Sequence, residues 1–287
     1  MSVPTFASAA LCRAAQRTAE RLSHSAVQAL IAEALLTPKP ALVDQRGSGA
    51  HRDLDLARLL CSAEALRDSF RSMALSASAA REELTLREQL GAIGRQGERL
   101  MLAATGGSNA HRGAIWVLGL LTAALAMRRT RRTLAAVAAS AAHLAGLPDR
   151  HAPDVPSNGS RACRRFGVQG ARGEAAAGFP HVMQVGLPAL RSARARGAGE
   201  ECARLDALMA IMTCLDDTCL LHRGGWSAVA AAQQGASRVL AHGGAATAAG
   251  RRALLALDAE LLRRHASPGG CADLLAACLF LDDLQLQ

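Results

Sequence analysis

Four short polar segments carry the residues of this sequence that could do chemistry, and each stands just before a helical pattern. The first, TPKPALVDQRGSGAHRD at 37–53, contains Lys39, Asp44, His51 and Asp53. An imidazole close to a carboxylate suits metal binding or general-base catalysis. An aspartate at a helix start can equally cap the helix and complement its dipole. The segment therefore predicts either a reactive site or a helix cap.

The second segment, TGGSNAHR at 105–112, places Asn109, His111 and Arg112 directly before an apolar stretch. The free N–H groups of a helix start, approached through glycines, form a ready site for anions. Asn109 can instead serve only as the N-cap of the helix that follows. The pattern thus predicts an anion site or, more simply, a capped helix.

The third segment, DDTCLLHRGG at 216–225, joins two adjacent carboxylates to an arginine and a glycine pair: Asp216, Asp217, Arg223, Gly224 and Gly225. Adjacent carboxylates can bind Mg²⁺, which commonly bridges the phosphates of a nucleotide. A magnesium ligand would matter for activity more than for folding, whereas a helix cap would matter for stability. The two interpretations of Asp217 therefore predict different effects of its mutation on activity and on stability.

The fourth segment, SPGGCAD at 267–273, repeats the arrangement of glycines at a helix start with Gly269 and Gly270, and it adds Asp273. One such segment says little about function. Four of them are more than the connections of a helical bundle require. We therefore expect them to converge on one cleft.

The composition predicts that helices position these segments. Tyrosine is absent and aromatic residues make up 2% of the chain, whereas alanine and leucine, which are strong helix formers, dominate. We expect one compact all-α domain over 1–287, with the site built from inter-helix loops. The helical patterns cover 7–36, 54–79, 84–104, 113–127, 133–146, 200–215, 226–242, 247–265 and 267–281.

Residues 147–169 depart from this pattern, because they combine three prolines with a basic cluster of Arg161, Arg164 and Arg165. Prolines and polar residues between helical patterns are typical of surface loops. The segment is therefore predicted to be a mobile surface excursion of the domain.

The charge and the cysteines narrow the class of protein. The formal net charge of +9 suggests anionic partners, although arginines scattered along helices can also reflect coding bias. The eight cysteines include no CxxC pair, which favours a reduced, cytoplasmic compartment over a disulfide framework. The longest apolar run, 113–127, is shorter than the roughly 20 residues of a membrane span. We expect no membrane and no nucleic acid among the partners.

The segments also resemble, in order, the signature sequences of the triphosphoribosyl-dephospho-CoA synthase family, with matches that span 37–281. Ala110 and Cys219 stand where the family usually has threonine and asparagine, which argues against polar roles for them. The matching positions are Pro38, Lys39, Pro40, Leu42, Val43, Asp44, Gly49, Ala50, His51 and Asp53; Asn109, His111 and Gly113; Glu174, Ala175, Gly178, Phe179 and Pro180; Asp217, Thr218, Arg223, Gly224 and Gly225; and 268–276.

This resemblance implies a transferase. The family moves the triphosphoribosyl unit of ATP to a ribose hydroxyl of 3′-dephospho-CoA and releases adenine. The product, 2′-(5″-triphosphoribosyl)-3′-dephospho-CoA, is the prosthetic-group precursor of an acyl-carrier subunit. The stretches ALVDQRGSGAHRDLDLA and DDTCLLHRGG look like the malonate decarboxylase branch, so the product is expected to pass to a transferase that acts on that acyl-carrier protein. The citrate lyase counterpart is the alternative within the family.

The resemblance also implies roles for individual residues. Breaking a ribose C1–N bond builds oxocarbenium character, which a carboxylate such as Glu174 would stabilise. A base toward the acceptor hydroxyl is expected at His51 or Asp53. Phosphate contacts are expected from Lys39, Arg112 and Arg223, and Mg²⁺ binding from Asp216 and Asp217. The remaining substrate-binding positions would be Asp44, Asn109, His111, Gly224, Gly225, Gly269, Gly270 and Asp273.

Two other classes of protein share some of these features. A Mg²⁺-dependent ADP-ribosyl-type glycohydrolase is also helical and also acts at ribose C1, but it uses water as the acceptor. A basic helical nucleic-acid-binding protein would need a contiguous arginine face, and the near-absence of aromatic residues removes the stacking platforms that such proteins use.

Overall fold

The structure is a computed structural model that describes residues 6–128 and 130–286. Within those residues no β-strand occurs, and an isolated bridge joins Asp44 to Gly47. The predicted all-α class is therefore confirmed. The helices, in chain order, are α1 (Phe6–Leu35), α2 (Leu56–Ala65), α3 (Arg67–Ala79), α4 (Glu83–Ala104), α5 (Arg112–Ala126), α6 (Leu134–Gly146), α7 (Asn158–Phe166), α8 (Gly170–Ala176), a π-helical turn (His181–Gly186), α9 (Leu187–Ala195), α10 (Glu200–Met212), α11 (Thr218–Ala241), α12 (Ala248–Arg263) and α13 (Gly269–Asp283).

One hydrophobic core runs through the molecule, with α5 and α13 at its centre. Both helices are apolar along almost their whole length, so they are buried on nearly every side. Helices α1, α3 and α10 pack around them. A side chain at Gly119 of α5 would come within 2.7 Å of the Met73 sulfur, so this glycine allows α3 and α5 to pack closely. In the part of the chain that the structure describes, none of the helices has the length and apolar character that crossing a bilayer requires.

Two stretches differ from the predicted helices. The pattern at 54–79 is split into α2 and α3 at Leu66, whose side chain is fully buried, so the chain changes direction where this leucine enters the core. Helix α9 was not predicted from the sequence. It follows the π-helical turn and carries Pro188 in its first turn, where proline, which has no backbone N–H to donate, is tolerated.

The segment 147–169 contains a helix, α7, which was not predicted because the prolines of the segment indicated a loop. The Ser157 hydroxyl caps it by accepting a hydrogen bond from the Ser160 N–H at 3.1 Å. Gly167 ends it in the left-handed conformation, with φ at 72°. Ala162 is buried because α7 packs against α11. The α7 part of this segment therefore belongs to the packed fold, and the mobility of the segment stays a prediction.

The third polar segment is mostly helical and not a turn. Helix α11 begins at Thr218, directly after the capping residue Asp217. Gly225, which follows Gly224, interrupts the helix with φ at 63° and ψ at −163°, a conformation that residues with a Cβ rarely adopt. The glycine thus places a kink in α11 just after the part that contributes to the site.

Candidate active site

The first, third and fourth polar segments meet at His51. Its Nε2 lies 3.0 Å from Ser267 Oγ, and its Nδ1 lies 3.3 Å from Nη2 of Arg223. Arg223 also donates to the carbonyl oxygen of Ala50 at 3.4 Å. Because guanidinium N–H groups only donate, Nδ1 must be the acceptor, and Nε2 carries the proton that is shared with Ser267. Both ring nitrogens of His51 are therefore engaged within the protein.

The surroundings of His51 keep its ring neutral. Burial, together with the charge of Arg223, lowers the pKa of His51 to about 4, and the Asp53 carboxylate opposes this shift. A neutral ring is the form that can accept from Arg223. His51 is therefore placed to position the guanidinium of Arg223.

We expect acid to destabilise the fold through this histidine. The unfolded chain takes up a proton near the ordinary pKa of 6.5, whereas the native ring resists it down to about 4. The free energy of unfolding is therefore unaffected by this histidine above pH 6.5 and decreases as the pH falls toward 4. The decrease at pH 5 is about 2 kcal/mol.

Urea unfolding at pH 7.5 and pH 5 measures this effect. His51→Gln keeps a donor and an acceptor but does not titrate, so its stability should fall less between the two pH values than that of the wild type. His24→Gln changes an exposed histidine of α1 and serves as the control. Equal pH dependence in wild type and His51→Gln would contradict the assignment.

Asp217 joins the third segment to the fourth. Its Oδ1 accepts hydrogen bonds from the backbone N–H of Cys219 at 2.7 Å and of Leu220 at 3.3 Å, which caps α11. Its Oδ2 accepts from the N–H of Cys271 at 2.9 Å. The side chain is buried, and burial raises the pKa of its carboxyl. The geometry is that of a helix cap, which corrects the expectation that Asp217 faces a magnesium ion.

Asp273 joins the fourth segment to the second. A side chain at Gly113 would collide with its carboxylate, so this glycine makes room for the acid at the start of α5. Burial and the neighbouring carboxylates of Glu33 and Asp217 raise the pKa of Asp273 well above its usual range, while the Ala114 N–H opposes the shift. A carboxyl in these surroundings retains its proton to unusually high pH.

Lys39 and Asp44 hold the first segment in shape. Lys39 Nζ lies 2.5 Å from Glu33 Oε1 and donates to the Glu33 carbonyl at 2.6 Å, and its side chain is 1% exposed. Asp44 accepts from the backbone N–H groups of Lys39 at 2.9 Å and Arg46 at 2.7 Å. Arg46 then reaches Asp258 of α12 at 2.7 Å. Contact with substrate, predicted for Lys39 and Asp44, does not agree with this burial.

The second segment is anchored by its own side chains. Asn109 Oδ1 accepts from the Arg112 N–H at 3.2 Å, but the N-cap position of α5 belongs to His111, so the alternative of Asn109 as the N-cap is not observed. His111 Nδ1 lies 2.7 Å from Ser62 Oγ, while its Nε2 is buried without a hydrogen-bond partner among the described residues. Burial and the charge of Lys39 lower the pKa of His111 to about 3. Arg112 forms an ion pair with Glu98, which occupies the guanidinium expected to hold phosphate.

Asp53 and the glycines complete the four segments. The carbonyl oxygen of Asp53 accepts from Ser108 Oγ at 2.7 Å, which ties the first segment to the second, and its side chain is exposed. Side chains at Gly269 and Gly270 would come within 3.0 Å of Cys219 Sγ and Asp217 Oδ2, respectively. These two glycines therefore permit close packing of α13 against α11, which differs from the expected approach of a ligand.

Glu174 forms a pair that the sequence did not predict. Its two carboxylate oxygens accept from the His181 backbone N–H at 2.9 Å and from Nδ1 of the same residue at 2.7 Å. The hydrogen bond that His181 donates to Glu174, supported by the charges of Glu174 and Asp216, raises the pKa of His181. The signal available was the position of His181 directly after Gly178-Phe179-Pro180, a matched family segment.

Asp216 and Asp217 have different neighbours, although they are adjacent in sequence. The Asp216 carboxylate is exposed, and its charge helps to raise the pKa values of His181 and Cys214. The Asp217 carboxylate is buried beside Cys271. Among the residues that the structure describes, no group of three or more histidine, cysteine or acidic side chains is arranged to hold a metal ion. The site contains no magnesium cage made by the protein alone.

Comparison with known proteins agrees with the motifs. The model of the family described as ATP:dephospho-CoA triphosphoribosyl transferase matches residues 19–287. A protein from Klebsiella pneumoniae, named 2-(5″-triphosphoribosyl)-3′-dephosphocoenzyme-A synthase, is 54% identical over 261 residues, which are 91% of this chain and 93% of that protein. No solved structure matches the chain.

Two further relatives carry the name "Probable 2-(5″-triphosphoribosyl)-3′-dephosphocoenzyme-A synthase". The one from Pseudomonas fluorescens is 56% identical over 268 residues, covering 93% of this chain and 92% of its own. The one from Stutzerimonas stutzeri is 56% identical over 279 residues, covering 96% of each. The identity is high over nearly the whole length, and the family's motifs meet at one site. The chain is a transferase and belongs to the ATP:dephospho-CoA triphosphoribosyl transferase family.

Proposed function

We propose that this chain attaches the triphosphoribosyl unit of ATP to the ribose 2′-hydroxyl of 3′-dephospho-CoA and releases adenine. The main support is the meeting of four sequence-distant segments around His51, Asp217 and Asp273. In this reaction the bond between ribose C1′ and the adenine nitrogen breaks, and a bond from C1′ to the 2′-oxygen forms. The hydroxyl proton leaves and adenine gains one. The site must therefore supply a base, an acid and groups that bind triphosphate.

Asp53 is our candidate for the base. Its carboxylate is exposed and lies close enough to His51 to affect its pKa. Because both nitrogens of His51 are engaged, the imidazole acts by holding Arg223 and not by taking the proton. Arg223 is exposed and suited to a bidentate contact with phosphate.

Asp273 is our candidate for the acid. Its raised pKa keeps the carboxyl protonated, so it can give that proton to the departing adenine. Glu174 was expected beside the ribosyl cation, but both of its oxygens are bound to His181. Any effect of Glu174 on the reaction is therefore assigned to the orientation and charge of that imidazole.

Magnesium fits this site as an ion carried mainly by the triphosphate. Mg²⁺ is usually held by one or two carboxylates together with substrate phosphates, and Asp216 offers an exposed carboxylate at the third segment. The ion would neutralise phosphate charge. The Asp217 carboxylate is not available to a magnesium ion in the same way, because backbone N–H groups donate hydrogen bonds to both of its oxygens.

Asp216→Ala should raise the Mg²⁺ concentration needed for half-maximal rate by about tenfold or more, since even losing a hydrogen-bonding partner of a metal ligand typically lowers metal affinity by about 10–100-fold. The melting temperature should be unchanged, because the side chain is exposed. Rates measured across a magnesium titration test this. Asp68→Ala, which removes an exposed aspartate of α3, is the matched control. An unchanged magnesium requirement in Asp216→Ala would remove Asp216 from the ion's coordination.

The reaction itself is tested by incubating the protein with ATP, Mg²⁺ and 3′-dephospho-CoA. Mass spectrometry should detect equal amounts of adenine and of the triphosphoribosyl adduct. Release of adenine together with free ribose triphosphate would instead identify a glycohydrolase that uses water. The absence of both products would reject the proposed function.

We further propose that the product serves malonate decarboxylase. The support is the amino-acid sequence of the first and third segments, ALVDQRGSGAHRDLDLA and DDTCLLHRGG, which resembles that branch. Both branches use the same precursor, so product analysis does not separate them. Sequencing of the genes next to the gene for this chain separates them. Genes for malonate decarboxylase subunits would support the proposal, and genes for citrate lyase subunits would contradict it.

A further inference from the structure

A cavity of about 330 Å³ opens between α7 and the first turns of α11, next to the site described above. It is lined by Arg161, Ala162, Arg165, Phe166 and His222. The motif matches and the proposed mechanism use none of these residues.

The cationic side of the cavity is available for an anion. Arg161 donates to Asn158 Oδ1 at 2.5 Å, and the Arg165 guanidinium lies 5.0 Å from the ring centre of Phe166. Neither arginine forms an ion pair with a carboxylate among the residues that the structure describes. They stand four residues apart in a helix and therefore share one face. Two guanidinium groups on one face suit the oxygens of a phosphate or diphosphate.

One of the residues that line the cavity, Phe166, is aromatic, and aromatic residues are scarce in this chain. The sequence contains five phenylalanines, two tryptophans and no tyrosine. Phe166 packs edge-to-face on Trp226, with ring centres 6.3 Å apart. Trp226 nevertheless remains 48% exposed. An exposed indole that packs on a ring lining the cavity offers a surface on which a purine can stack.

The cavity adjoins the catalytic site through Thr218. A side chain at Gly170 would come within 3.2 Å of Thr218 Cγ2, and one at Gly159 within 3.7 Å of Thr218 Oγ1, so the start of α7 and the start of α8 both lie close to the start of α11. His222 lines the cavity, and its neighbour Arg223 contacts His51. A ligand that spans both places would therefore bridge adjacent sites.

We propose that this cavity binds the adenosine 5′-phosphate portion of a substrate, with Arg161 and Arg165 on the phosphates and Phe166 and Trp226 against the purine. The inference rests on the proposed function, because both substrates of that reaction, ATP and 3′-dephospho-CoA, carry this portion. The simpler explanation of Arg165 is that it complements the dipole at the carboxyl end of α7.

Steady-state kinetics test the proposal and identify the source of the ligand. Arg161→Ala and Arg165→Ala should each raise the KM for one substrate by about tenfold or more, the effect of losing a charge-assisted hydrogen bond. The kcat should stay within about twofold of the wild-type value, since neither residue is assigned a role at the reacting atoms. A raised KM for 3′-dephospho-CoA assigns the cavity to the acceptor, and a raised KM for ATP assigns it to the donor.

Arg164→Ala is the matched control, because Arg164 is an exposed residue of the same helix and does not line the cavity. Its KM values should equal those of the wild type. Unchanged KM values in Arg161→Ala and Arg165→Ala, or the same change in all three variants, would overturn the proposal. Circular dichroism of each variant establishes that α7 and the fold are retained.

Tryptophan fluorescence separates failure of this inference from failure of the proposed function. Titration with ATP or with 3′-dephospho-CoA should change the emission of the wild type, and Trp226→Phe should lose that change because only Trp116 remains. If the wild type makes no adduct but Trp226 still responds, the proposed function fails and the binding site stands. If the wild type makes the adduct and neither ligand affects Trp226, the binding site fails alone.

Discussion

Replacing Lys39 by methionine should destabilise the fold by about 3–5 kcal/mol, the typical effect of removing one partner of a buried ion pair. Lys39 is 1% exposed, and the side chain of its partner Glu33 is 7% exposed. Without the ammonium group, the Glu33 carboxylate would remain buried, close enough to Asp273 to affect its pKa. Urea unfolding of wild type and Lys39→Met at pH 7.5 measures the loss.

The double variant Glu33→Gln/Lys39→Met should recover most of that stability, because no unpaired charge remains. Arg58→Met is the control, since Arg58 forms an exposed pair with Asp55, and such pairs contribute about 1 kcal/mol or less. Recovery of activity in the double variant would show that Lys39 supports the first segment without touching phosphate. A stable but inactive Lys39→Met would restore the role expected from the family resemblance.

Asp217→Ala should lower the free energy of unfolding by about 2–4 kcal/mol and reduce activity at the same time. Loss of the cap of α11 costs about 1 kcal/mol, and the buried N–H of Cys271, left without a partner, adds roughly 1–3 kcal/mol. Activity falls because the bond from Asp217 Oδ2 to Cys271 holds the third and fourth segments together. Thermal unfolding and adenine release, measured on the same preparation, test both effects.

Asp217→Asn separates the cap from the charge. Its amide oxygen can still accept from Cys219 and Leu220, but its NH₂ group would face the Cys271 N–H, so part of the stability should be lost. A magnesium ligand at Asp217 would give the opposite pattern: an inactive protein of unchanged stability. That result would contradict the geometry of the buried carboxylate.

Much of this protein follows from the sequence alone. Helix propensity and periodicity are local properties, so the abundance of alanine and leucine with few aromatic residues predicts the all-α class. Local signals also indicated a helix start just after Asn109, and α5 begins at Arg112. The four polar segments were recognisable as one group because each combines charge with glycine at a helix start.

Only the tertiary structure decided which of those polar residues are buried and which remain exposed. Lys39 and Asp217 have the residue types of binding groups, but their surroundings bury them against Glu33 and the Cys271 N–H. Asp217 and Cys271 are 54 positions apart in sequence, so no local pattern encodes that contact. The hydrogen bond between His181 and Glu174 was likewise found only in the tertiary structure. Burial and hydrogen-bond partners depend on packing between distant helices, and this is why composition and spacing could nominate these segments but left the surroundings of each side chain to the fold.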